Sequence, residues 1–228
     1  MRKLIQNWYQ LAVYLAGGYA LLLGLGSWTV QQRALLMGLI LLHLHFFEEF
    51  GFPGGFAWLG IRVEMWAVPP VVADWPLNQL SAFFGNEWFA LVVYLLPLLC
   101  PWWHWLVLAA LVFAFAELVM HALVFNLAMR TAYNPGLVTA LGLTLVTSWY
   151  LWDRGGVAAF TWLDLALAIG WIGLNYWLAF RSPLFDWFNC QRAYTFRPAD
   201  LAKSAPYLKK EGRTLADYRF PGDEPKGD

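Results

Sequence analysis

Long apolar stretches run through this chain, broken by short clusters of Gly, Pro, Asn and charge, and each comes close to the roughly 20 residues an α-helix needs to cross a bilayer. The pattern predicts six helices, about 8–30, 34–50, 86–100, 102–127, 135–152 and 161–181. The third is short, about 15 residues with Pro97 and Pro101 at its end, and reads as a tilted span or a re-entrant segment. Between the second and third, Gly51 to Gly85 is rich in Gly, Pro and Trp. Val68-Pro69-Pro70 and Trp75-Pro76 forbid a continuous helix there, so the stretch is expected along the membrane interface as a cap or lid.

Composition names the solvent. Of 228 residues, 60% are hydrophobic, 18% aromatic and 13% charged, which makes the expected fold an all-α, polytopic transmembrane helical bundle with membrane lipids as its surroundings. Residues 1–181 are expected to form the membrane domain. Residues 182–228 form a polar cytoplasmic tail too short for a separate core. A net charge of zero gives no argument for nucleic acid, and Cys100 and Cys190 offer neither a CxxC motif nor a disulfide framework. The segment after Met1-Arg2-Lys3 lacks an obvious small-residue cleavage site and reads as a retained span. With six spans the N-terminus, Arg62, Arg130 and the cations from Arg181 to Lys210 share one side, and only Arg33 and Arg154 fall opposite. The excess of cations assigns an N-in, C-in protein of a plasma or bacterial inner membrane.

Two polar clusters interrupt the apolar runs. His45-Phe46-Phe47-Glu48-Glu49 ends the second helix, and two carboxylates beside a histidine at membrane depth are costly unless they have a task. The i, i+4 spacing puts His45 and Glu49 on one face with Glu48 on its edge, and Glu117 and His121 repeat that spacing on helix four. Helices two and four run the same way, so the two faces meet near one depth in the inner half. Buried carboxylates and histidines repel unless a cation or shared protons join them. His45, Glu49, Glu117 and His121 are therefore the expected ligands of a divalent metal, Zn²⁺ favoured and Fe or Mn admissible, with Glu48 as general base. A di-iron bundle uses Glu-x-x-His pairs and further Glu ligands, a pattern this chain approaches without matching.

Other polar residues carry weaker signals. His43 points about 200° away from His45 and suits a neighbouring or supporting position. In Tyr133-Asn134-Pro135-Gly136, Asn134 reads as an N-cap with Pro135 at the first helical position, and, lying on the same side as both clusters, also as a residue that contacts the substrate or supports the site. Tyr133 is an interfacial residue able to donate to a substrate oxygen. His104 sits about 20 Å from Glu117 along the helix, at the opposite interface. Asn126 and Asn175 read as helix-packing groups, and Lys209-Lys210-Glu211 as a solvated surface against anionic headgroups.

His45-Phe46-Phe47-Glu48-Glu49, Phe-Pro-Gly-Gly-Phe at 52–56, His121 and Tyr133-Asn134-Pro135-Gly136 together resemble the HXXEE-domain family of integral membrane proteins, over roughly residues 30–152. The resemblance implies a polytopic helical protein with metal-dependent activity at its His and Glu positions. A fainter likeness is to the CAAX-protease type of membrane hydrolase, although Phe52-Pro53 stands where such enzymes carry an Arg. The expected function is a membrane metalloenzyme hydrolysing a lipid-like or isoprenoid small molecule near the cytoplasmic leaflet. The alternatives are an iron-dependent hydroxylase or desaturase, and a non-enzymatic transporter or ion-binding protein.

Overall fold

The structure, a computed structural model, describes residues 2–66 and 68–222, and no strand occurs among them. Six long helices carry the fold: α1 (Trp8–Leu25), α2 (Val30–Phe50), α3 (79–99), α4 (His104–Met129), α5 (Leu137–Asp153) and α6 (Trp162–Phe180). Three begin on side chains that satisfy the free amides of a first turn. Thr29 pairs with Gln32 at α2, Asn78 with Ser81 at α3, and Thr161 with Asp164 at α6.

The cap at Asn78 explains why α3 starts seven residues earlier than the 86 expected. Gly85 lies inside the helix, where a Cβ would come within 2.4 Å of the Phe180 ring, so it marks close packing of α3 on α6 and not a boundary. Among the described residues five stretches are long and apolar enough to cross a membrane: Trp8–Leu25, Val30–Phe50, Val72–Leu99, His104–Met129 and Trp162–Asn189. α5 has 17 residues, one fewer than the shortest of these, and packs against both α2 and α4. α2 also meets α1 and α3, and α4 meets α3 and α6, which closes the bundle.

Large apolar side chains such as Leu25, Val119, Leu127, Leu163 and Trp177 point outward. In water such a surface would aggregate, whereas lipid tails solvate it; the chain is an integral membrane protein.

The segment between α2 and α3 is built into the molecule. Phe56–Glu64 forms a short cap helix in which Trp58, Leu59 and Ile61 are fully buried. The C-terminal residues cover it. Trp58 Nε1 donates to Tyr218 Oη at 2.7 Å, Ser204 Oγ to the Gly55 carbonyl at 2.8 Å, and Lys203 Nζ to the Phe50 carbonyl at 2.7 Å. Glu211 pairs with Arg62 at 2.8 Å, and Lys210 Nζ donates to the Arg130 carbonyl at 3.1 Å. Phe196, Leu201 and Leu208 are buried, so much of the polar tail packs on the ends of α2 and α4.

Candidate metal centre

The C-terminal halves of α2 and α4 bring their polar faces together. His45 and Glu49 stand one turn apart on α2. On α4 the helix widens into a π-turn, Met120–Phe125, just after Glu117, and this turn carries His121. His45 Nε2 lies 3.5 Å from Glu49 Oε1 and 3.6 Å from Glu117 Oε2, and His121 Nε2 lies 3.5 Å from each of the same two oxygens. His, Glu, His and Glu thus alternate around a ring of four atoms. The ligand atoms of His45, Glu117 and His121 all lie within 4.8 Å of one another.

These edges are too long for imidazolium–carboxylate hydrogen bonds, which run at roughly 2.7–2.9 Å. They suit a shared ion. A ring with edges near 3.5 Å leaves its centre about 2.1 Å from each atom when folded to a tetrahedron and about 2.5 Å when flat, against metal–nitrogen and metal–oxygen bonds of roughly 2.0–2.2 Å. Two imidazole nitrogens and two carboxylate oxygens are a donor set for Zn²⁺, Fe²⁺ or Mn²⁺. His45, Glu49 and His121 are buried, while the Glu117 side chain is 21% exposed beside the outward-facing Ala116 and Val124. The centre opens on that side.

Both histidine rings are held from behind. His121 Nδ1 is 2.6 Å from Asn134 Oδ1, and because Asn134 Nδ2 donates to the His121 carbonyl and to Asn126 Oδ1, the amide oxygen is the atom left to accept. Nδ1 therefore carries a hydrogen, and in the neutral ring the lone pair stands on Nε2. His45 Nδ1 lies 2.9 Å from Thr139 Oγ1. Asn134 does not cap α5. That position belongs to Gly136, at φ 103°, where a Cβ would stand 2.3 Å from His121 Cε1. The Asn-Pro-Gly turn thus serves the His121 ring: Asn134 binds it and Gly136 leaves it room.

Glu48 faces the other way, into the start of α5. Its Oε2 accepts from the Thr139 amide at 2.9 Å and the Thr139 hydroxyl at 2.6 Å, and its Oε1 from the Val138 amide at 3.2 Å and the Tyr133 hydroxyl at 3.0 Å. A carboxylate on the free amides of a helix N-terminus is favourable. Its charge, after burial, pushes the Tyr133 hydroxyl up and Tyr207 up to about 12. His43 is apart from the ring of donors: Nδ1 meets the Leu39 carbonyl at 2.7 Å and Nε2 lies 3.4 Å from Glu87 on α3.

Three residues passed over in the sequence belong to this neighbourhood. Glu87 partners His43. Thr139 touches both His45 and Glu48. Glu64, at the end of the cap helix, is half-buried, and burial first, then the charges of Glu49 and Glu117, push its carboxyl up to about 8. Only the position of Thr139, three residues after the Asn-Pro-Gly turn on the first turn of a helix, hinted at a polar task.

No curated protein and no solved structure matches the chain. The family model for proteins of unknown function with an HXXEE motif matches residues 36–151, which takes in both histidine–glutamate pairs, Glu48 and the Asn-Pro-Gly turn. With half of its length inside that match, the chain belongs to the HXXEE family.

Proposed function

We propose that the protein is a membrane metalloenzyme, a metal-dependent hydrolase whose substrate is lipid-like. The observation that carries this reading is the alternating ring of His45 Nε2, Glu49 Oε1, His121 Nε2 and Glu117 Oε2, with edges of 3.5–3.6 Å. Zn²⁺ is the ion favoured by this set. Held by three of these residues, with the fourth position left open, the ion would supply a Lewis acid for a carbonyl and lower the pKa of a water there to about 7.

The chain's own residues take the remaining tasks. Asn134 and Thr139 hold the two imidazoles in place. Glu48, expected as the general base, already has four donors on its two oxygens, which favours a structural charge over a free proton acceptor. Proton transfer is assigned to a further carboxyl, Glu64, at the end of the cap helix and close enough to feel the charges of Glu49 and Glu117. Glu117 opens toward an apolar, outward-facing surface, which suits a substrate with an apolar tail that presents an ester or amide carbonyl to the ring.

Element analysis of purified protein tests this reading. About one equivalent of zinc is expected, with His45→Ala and His121→Ala each losing most of it, together with hydrolysis across a panel of lipid esters and amides. Two equivalents of iron would instead point to oxidation, and full metal content in both variants would remove the shared site.

A further inference from the structure

The metal ring leaves unexplained why a second carboxylate, Glu48, lies within reach of a residue that touches His45. Thr139 Oγ1 has one hydrogen and three neighbours: Glu48 Oε2 at 2.6 Å, the Gly136 carbonyl at 3.1 Å and His45 Nδ1 at 2.9 Å. The short contact to a carboxylate takes the hydrogen, since charge-assisted O–H···O⁻ bonds are the shorter and stronger ones. The oxygen then has lone pairs to offer, so the contact with His45 is an N–H donated by Nδ1. The lone pair of the neutral ring stands on Nε2, the atom that faces Glu49 and Glu117.

We propose that Thr139 is the positioning residue of His45: its hydroxyl, oriented by Glu48, fixes the Nδ1–H tautomer and aims Nε2 at the metal ring. The arrangement is a Glu–Thr–His chain, the counterpart on α2 of the Asn134 contact to His121. Glu48 is held by the Val138 and Thr139 amides, so the chain is anchored on the backbone at the start of α5 and leaves the ring little freedom to turn. The inference rests on the metal reading above. It adds a residue on a third helix to a site otherwise built from α2 and α4.

The test compares wild type, Thr139→Ser and Thr139→Val. Valine keeps the size and the backbone amide that Glu48 accepts, while removing the hydroxyl. Zinc affinity, measured by chelator competition, is expected to fall on the order of 10–100-fold in Thr139→Val, as for other outer partners of metal-bound histidine, and to stay close to wild type in Thr139→Ser. In ¹⁵N-histidine spectra a slowly exchanging Nδ1–H of His45 is expected in wild type and Thr139→Ser and lost in Thr139→Val, with the His121 signals unchanged. An unchanged affinity and Nδ1–H signal in Thr139→Val overturns the inference. If wild type takes up no zinc, the metal reading fails, and the Nδ1–H signal of the same three proteins still decides the role of Thr139: loss only in the valine variant supports it, and its persistence overturns it.

Discussion

Adjacent carboxylates in this chain have opposite surroundings. Glu49 turns toward two imidazole nitrogens, whereas Glu48 turns toward two amides and two hydroxyls. Glu49→Gln is therefore expected to lose metal. Glu48→Gln is expected to keep it and to lower stability by about 1–3 kcal/mol, because an amide can accept on only one of the two atoms where the donors converge. Metal content and thermal unfolding of the two variants check this. Glu64 gives a pH-dependent signature. Its carboxyl ionises near 4.5 in the unfolded chain and near 8 in the folded, metal-free protein. Between those values the unfolded chain has lost its proton and the folded protein has not, so stability falls as pH rises from about 4.5 to 8. Glu64→Gln should flatten that slope in unfolding midpoints recorded across this range.

Two departures from regular helix build the site. The π-turn at Met120–Phe125 carries His121, and the left-handed Gly136 lets α5 start against its ring. An alanine at 136 would take a φ of 103° that L-residues avoid, at a cost of about 1–3 kcal/mol, and would push a methyl into the imidazole. Gly136→Ala should unfold at lower temperature and lose most of its metal, whereas an alanine in place of Gly17, which faces open space, should not. The N-terminus of α5 is the meeting point: Glu48 from α2, His121 from α4 and the Tyr133 loop all converge on residues 134–139.

The six-helix bundle places the ring of His45, Glu49, His121 and Glu117 near one end of the molecule. At that end lie Lys203 on the Phe50 carbonyl, Lys210 on the Arg130 carbonyl and Arg62 on Glu211. At the other end Gln31 joins the Pro101 carbonyl and Tyr150, near Arg33 and Arg154. By the excess of cations this end is expected to face the cytoplasm. Single cysteines at positions 2 and 213 should both be labelled from the cytoplasmic side and one at 154 from the outside. Labelling of 2 and 154 from the same side would contradict the topology.

Much of this fold is visible along the chain because a membrane leaves few choices. Backbone groups in lipid must be satisfied within each segment, so long apolar runs become helices, and a His or Glu inside one stands out by its cost. The spacing of His45 with Glu49 and of Glu117 with His121 follows from the helix repeat alone. Other features depended on the folded molecule. The bond of Asn134 to the His121 ring, the donors that the start of α5 brings to Glu48 and the contact of Thr139 with His45 arise only once these helices pack. Glu64 and Glu87 look like surface charges until the cap helix and α3 are folded against the bundle. Local periodicity decides which face of a helix a residue occupies. What that face meets is set by the packing of segments many residues apart, and hydrogen-bond direction and burial come into being only there.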